Sequence, residues 1–235
     1  MRDYELLVKE LGDLEDPKQA KLLQRFFKTG KGEYGEGDIF AGIKVPVSRK
    51  IANQFIDLNF VDLQKVIQSK IHEERLITLL ILVAKYKKVD KEEREKIFNF
   101  YLKNIRFVNN WDLVDLSAEK IIGAYLIDKD KRLLFDLVKS NNVWERRIAI
   151  MSTFYFIKAN QFAAALKISE LLLKDKHDLI HKAVGWMLRE IGKKDIQAEV
   201  IFLQKHYKKM PRTMLRYAIE KFPEKKRLDY IKGNV

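Results

Sequence analysis

Asn109-Asn110-Trp111-Asp112-Leu113-Val114-Asp115-Leu116-Ser117 reads as the opening of a helix in a chain otherwise written in Leu, Ile, Lys and Glu. Two readings fit these nine residues. In the first, Asn109 or Asn110 caps the helix, Asp112 favours the positive end of its dipole, and Trp111 packs into the core. In the second, the helix carries chemistry. Trp111 and Asp115 stand at i and i+4 on one face, and Asp112 is three residues from Asp115, so a ring and a carboxylate address one point.

Outward from this stretch the apolar period is helical almost throughout. Tyr4, Leu6, Leu7, Leu11 and Leu14 form one stripe; Ala20, Leu22, Leu23, Phe26 and Phe27 form a second after Asp16-Pro17, a helix-opening pair. Pro17, Pro46, Pro211 and Pro223 all sit where a helix can begin. No Asn-Gly or Asp-Gly marks a hairpin, and period-2 alternation is not sustained. The spacing predicts an all-α chain with helices over 46–58, 62–70, 73–87, 91–103, 111–126, 131–139, 143–159, 162–173, 178–192, 195–208, 211–221 and 224–231. Short helices joined by short loops, with one strongly apolar helix in each pair, describe stacked helical repeats, because a pair cannot cover its own face without a neighbour. Trp111, Trp144 and Trp186 are separated by 33 and 42 residues, bracketing a HEAT-type unit. The expectation is therefore one HEAT-like solenoid domain over 1–235 with a concave basic face.

Composition narrows the function. Forty-six Lys and Arg against 33 Asp and Glu leave a net charge of +13, so the surface should attract polyanions, with nucleic acid ahead of an anionic membrane. The chain lacks cysteine, which removes disulfides, cysteine metal sites and thiol nucleophiles. Its longest apolar run, Ile77-Thr78-Leu79-Leu80-Ile81-Leu82-Val83-Ala84, is far shorter than a bilayer span. The N-terminal Met1-Arg2-Asp3-Tyr4-Glu5 is charged and carries no apolar segment of a leader, so a soluble cytoplasmic protein is expected.

Thr29-Gly30-Lys31-Gly32-Glu33-Tyr34-Gly35-Glu36-Gly37-Asp38 holds four of the ten glycines. Its spacing does not match GxxxxGK[ST] and no strand precedes it, so a mobile loop within 29–42 is the better reading than a phosphate cradle. His177-Asp178-Leu179-Ile180-His181 has the histidine spacing of a zincin. It carries Asp in place of Glu and has no evident third ligand, so a capped helix start at Asp178 explains most of it without a metal. The basic tail from Lys205 to Arg227 is a solvated helix face that can extend a DNA footprint.

Three segments then stand in register: Asn110 to Asp115, Asn142-Val143-Trp144-Glu145-Arg146-Arg147-Ile148-Ala149-Ile150, and Lys182-Ala183-Val184-Gly185-Trp186-Met187-Leu188-Arg189-Glu190. With Arg25-Phe26-Phe27-Lys28-Thr29-Gly30 and Phe40-Ala41-Gly42-Ile43-Lys44-Val45-Pro46, they resemble the AlkD family of DNA alkylation repair glycosylases, built from HEAT-like repeats. The resemblance spans residues 20–189. It implies Asp115 as catalytic carboxylate, Trp111 and Trp186 as cleft tryptophans, Arg147 as cleft arginine, and Phe26 at a position that is tyrosine in the family pattern, so that the ring is kept and the hydroxyl lost. Each has a plainer reading: Trp186 as a core anchor, Arg147 as partner of Glu145 or Glu190, Phe26 as core.

The chemistry suits the set. A purine alkylated at N3 or N7 is cationic and needs no general acid to leave, so the remaining barrier is the oxocarbenium developing on the deoxyribose. An ionised Asp115 beside that sugar stabilises the charge and can position water. The faces of Trp111 and Trp186 suit a cationic base, at about 0.5–2 kcal/mol per contact. Arg147, Arg189 and Lys182 would hold phosphates, which set register without reading sequence. The expected partner is double-stranded DNA bearing alkylated purines, met by a monomer without metal or cofactor. A catalytically silent DNA-binding module and a protein-binding scaffold remain as alternatives; an acid facing DNA serves only the first reading, and steep salt dependence excludes the scaffold.

Overall fold

The computed structural model describes residues 3–235; Met1 and Arg2 of the charged N-terminal stretch lie outside the described residues. Every regular element among them is helical, and a single parallel bridge, Ile39 to Ile71, is the one β feature. The all-α expectation therefore holds. The residues group into two compact units, one ending at Ser117 and the other beginning at Ala118.

The first unit contains α1 (Tyr4–Gly12), α2 (Pro17–Phe26), α3 (Val45–Gln54), α4 (Phe60–Ile67), α5 (His72–Tyr86), α6 (Lys91–Lys103) and the start of α7 (Trp111–Ala118). Capping side chains set the starts: Asp3 accepts from Leu6 N–H, Asp16 from Lys18 and Gln19 N–H, Asn59 from Asp62 N–H, and Asp90 from Glu93 N–H. Pro17 occupies the first position of α2, where its missing N–H matters least. Helix α5 is buried on every side from Leu76 to Val83 and packs against α3, α4 and α6. A helix apolar all round belongs in the interior, so the short apolar run is the central post of this unit. Among the described residues no helix is long and apolar enough to cross a membrane.

Ile81 has no exposed surface. Ile81→Ala removes three carbons and leaves a cavity in α5, and is expected to lower unfolding free energy by about 2–5 kcal/mol in urea titration. A loss under about 1 kcal/mol would mean that the surroundings collapse into the space and that α5 is not the rigid post described.

The second unit contains a π-helical turn (Glu119–Gly123), α8 (Ala124–Leu126), α9 (Arg132–Leu137), α10 (Val143–Lys158), α11 (Ala163–Leu171), α12 (Asp178–Lys194), α13 (Ile196–His206), α14 (Arg212–Ala218) and α15 (Glu224–Lys232). Helices α10, α12 and α14 pack side by side, with α9 and α11 against α10 and α13 against α12. This alternation is the pairing that the apolar pattern predicts. Asp195 alone joins α12 to α13, accepting from Gln197 and Ala198 N–H. Gly185 is what lets α12 approach α14: a side chain there would run into the Met214 carbonyl and Tyr217. The helix expected over 111–126 is interrupted by the π turn, whose Gly123 lies against the Ser152 carbonyl of α10 where a Cβ would not fit.

Candidate nucleic-acid interface

In the first unit, α2 ends in two phenylalanines that part ways. Phe27 is buried, stacked on Trp111 at 5.0 Å and on Phe40 at 4.9 Å between ring centroids; Phe40 in turn stacks on His72 at 4.4 Å. Phe26, one residue earlier, is 64% exposed and meets Trp111 edge-on at 5.8 Å. Phe27 therefore takes the core place, and Phe26 stands out beside the half-buried indole. Asp115, one helical turn beyond Trp111, is also half-buried. Burial raises the Tyr101 phenol pKa above the ordinary range, and the nearby Asp115 charge adds to it.

Asp112 does not share that face. It is buried and turned inward, its Oδ2 2.9 Å from His72 Nε2 and its Oδ1 accepting from Leu113 N–H at 2.8 Å. His72 Nδ1 lies 3.1 Å from Asp38 Oδ2. Asp38 also accepts from the Arg75 guanidinium and from Asn110 Nδ2 at 3.0 Å. Burial opposes a charged imidazole, but Asp112 and Asp38 outweigh it and raise the His72 pKa to about 9. Burial likewise works against ionised Asp38, yet hydrogen bonds from His72 and Asn110 and the charge of Arg75 keep its pKa below the usual value.

The Gly-rich segment has firm anchors within this unit. Gly30 N–H donates to Glu33 Oε2 at 2.9 Å, Gly32 N–H to Glu36 Oε2 at 2.8 Å, and Gly35 N–H to the Lys28 carbonyl at 3.0 Å. A side chain on Gly35 would strike the Phe27 carbonyl. Behind it the Glu73 carboxylate accepts from Ala41, Gly42 and Ile43 N–H at 2.9, 2.9 and 3.2 Å, holding the bend where Gly42 has φ of +90°. The stretch read as a loop between the second and third helices lies there, between α2 and α3, and its last residue, Asp38, is buried.

In the second unit, Arg147 is buried on α10 and donates from Nη1 to the Leu179 carbonyl at the start of α12. Its neighbour Arg146 is paired through Nε with Asp175 at 2.6 Å. Trp186 is half-buried on α12, its indole N–H on Glu190 Oε1 at 3.1 Å and its ring 5.9 Å from Phe154. It is neither a sealed core anchor nor a free surface ring; Trp144 is the buried one. Lys182 pairs with Asp178 at 2.7 Å, and Arg189 pairs with Glu220 and Glu190. These cations carry intramolecular partners that a phosphate would have to share or displace.

The start of α12 is the capped helix start expected at Asp178. The cap is His177, whose Nδ1 accepts from Leu179 N–H at 3.2 Å, and Asp178 is the first helical residue. Burial lowers the His177 pKa, in keeping with a neutral ring that has a lone pair to offer. His181 donates to the Asp175 carbonyl. Among the described residues no group of three or more His, Asp or Glu is gathered to hold a metal.

His72, Asp38 and Glu73 did not emerge from the sequence as functional candidates. The available signal was His72-Glu73-Glu74-Arg75, four ionisable residues directly ahead of the most apolar helix.

Packed helix pairs, a basic composition and an exposed ring beside an indole and a carboxylate define an all-α protein suited to a polyanion. The chain matches the DNA alkylation repair enzyme family over residues 7–222, and it belongs to that family. It is similar to a predicted DNA alkylation repair enzyme from Enterococcus faecalis, at 17% identity and a TM-score of 0.68, over 89% of this chain and 97% of that one. It is also similar to AlkD2 from Streptococcus mutans, at 18% identity and a TM-score of 0.54, over 94% and 97%. Likeness at these identities speaks to the fold. No curated protein matches the chain.

Proposed function

We propose that this member of the family is a monomeric DNA glycosylase that hydrolyses the N-glycosidic bond of cationic N3- or N7-alkylated purines in duplex DNA, without metal or cofactor. The observation that carries the reading is the grouping on the first unit: Phe26 exposed, Trp111 5.8 Å from it, and half-exposed Asp115 one turn along the same helix. One face of Trp111 is covered by Phe27, which fixes the ring. A positively charged purine is attracted to electron-rich ring faces, and a neutral one gains little.

Asp115 supplies the negative charge that an oxocarbenium requires as the glycosidic bond stretches; the alkylated base leaves neutral, so no acid is needed. On the second unit, Trp186 and Arg147 are assigned to DNA contact by the family resemblance, and Lys182 and Arg189 by the positive charge they offer to phosphates. The decisive test is release of free base from methylated duplex DNA by the protein and by Asp115→Asn. Release by the first and not by the second supports the reading. Release by neither, with DNA binding intact, would leave a silent damage-binding module.

Two further results are expected. Phe26→Ala, at an exposed site, should leave stability within about 0.5 kcal/mol while slowing base release roughly 2- to 30-fold, the equivalent of one cation–π contact; an unchanged rate removes Phe26 from the site. DNA affinity should fall steeply with salt, log K dropping by roughly 0.9 per phosphate neutralised for each decade of salt. A flat dependence would instead indicate a protein-binding scaffold.

A further inference from the structure

The imidazole of His72 has a carboxylate on each nitrogen, Asp38 Oδ2 at 3.1 Å from Nδ1 and Asp112 Oδ2 at 2.9 Å from Nε2. A neutral ring has one donor and one acceptor, so it would point a lone pair at one of two carboxylates; only with both nitrogens protonated are both contacts attractive. The polar groups around it come from three places. Asp38 closes the Gly-rich segment, Asp112 and Asn110 belong to the start of α7, and Arg75, from the helix of His72 itself, is turned onto Asp38 and the Ser69 carbonyl. Phe27 and Phe40 cover the ring. The next carboxylate along, Glu73, is committed to the N–H groups of Ala41 to Ile43, and His72 N–H donates to the Ile39 carbonyl at 2.8 Å.

These contacts converge on the first turn of α7. Asp112 is held by His72 and Asn110 by Asp38, while Asn110 Oδ1 accepts from Trp111 N–H at 2.8 Å. Trp111 lies between those two residues in the chain and stacks on Phe27, which also meets His72. We propose that His72, with Asp38 and Asp112, is a positioning group whose imidazolium braces the Gly-rich segment against α7 and so sets the place of Trp111 and, one turn on, Asp115. The Gly-rich segment then serves to deliver a buried carboxylate to that brace. The activity arm of the test rests on the glycosylase reading; the structural arm does not.

The probe is the protein labelled with 5-fluorotryptophan, its three ¹⁹F resonances assigned with Trp111→Phe, Trp144→Phe and Trp186→Phe. His72→Phe and Asp112→Leu cut the brace. Asp112→Asn preserves it, because its amide can donate to Nε2 of a neutral imidazole. In both cut variants the Trp111 resonance should move while those of Trp144 and Trp186 stay; in Asp112→Asn it should stay near the wild-type position. Single-turnover release of 7-methylguanine should slow at least about 10-fold in the cut variants with DNA Kd within about two-fold, and recover in Asp112→Asn.

If a cut variant fails to fold, His72→Asn takes its place, since its amide can reach Asp38 and gives up Asp112; the same selective shift is expected. A Trp111 resonance unmoved in folded cut variants overturns the proposal, as does a shift shared by all three tryptophans. A selective shift together with a wild-type protein that releases no base keeps the brace and rejects the glycosylase.

Discussion

Asp115→Asn is expected to cut release of 3-methyladenine and 7-methylguanine from methylated duplex DNA by about 100- to 1000-fold while leaving DNA affinity within a few-fold. The magnitude follows from what the carboxylate does. It acts only on charge that develops in the transition state, and deleting one such preorganised electrostatic partner costs about 2.7–4 kcal/mol of barrier. Substrate affinity should not fall, because a carboxylate near DNA repels phosphate and an amide does not. Asparagine has nearly the same volume, and Asp115 is half-exposed, so the fold should tolerate the change. Free bases quantified over time against an enzyme-free control separate catalysis from spontaneous depurination. Equal release by both proteins would take Asp115 out of the mechanism, however well placed it looks beside Trp111.

The helices were legible because helix signals are local. Each stripe repeats within one turn, and all four prolines stand at or immediately before a first helical turn, at Pro17, Pro46, Pro211 and Pro223. Side-chain direction was harder to see. Phe26 and Phe27 are adjacent aromatics in one stripe, and only the placement of Trp111 and Phe40 decides which goes inside. Asp112 and Asp115 sit three apart, close enough on a helix to suggest a shared face, yet His72 draws the first into the interior. The partners in that network are 34, 40 and 72 residues apart in the chain, as His72 with Asp38, His72 with Asp112, and Asn110 with Asp38. No local pattern encodes such pairings. The anchoring of the Gly-rich segment was hidden for a related reason: glycine marks both mobile loops and tight turns, and what ties this one down is Asp38, whose burial depends on residues far along the chain.

Glu199→Gln should make the protein more resistant to alkali. Glu199, on α13, is 2% exposed, its Oε1 has no hydrogen-bond partner among the described residues, and its carboxyl lies directly over Gly192, in space that any other residue there would fill. Burial raises its pKa to about 8, and the charges of Lys226 and Arg189 offset that only in part. A carboxyl whose pKa is raised on folding keeps the native state proton-rich. Its contribution is full below about pH 4.5 and is lost as pH rises through about 8, where the buried group must ionise. Glutamine has the same shape and never ionises. At pH 5 the variant and wild type should unfold within about 1 kcal/mol of each other. At pH 9 the variant should be the more stable by on the order of 3–5 kcal/mol. His72 in the first unit carries the same sign, its stabilisation present below about pH 6.5 and lost through about 9, but it is common to both proteins and cancels in the difference. Urea midpoints at the two pH values suffice. A variant less stable than wild type at both would mean that Glu199 is ionised in the fold and held by Lys226 and Arg189, and the burial argument would fail at that residue.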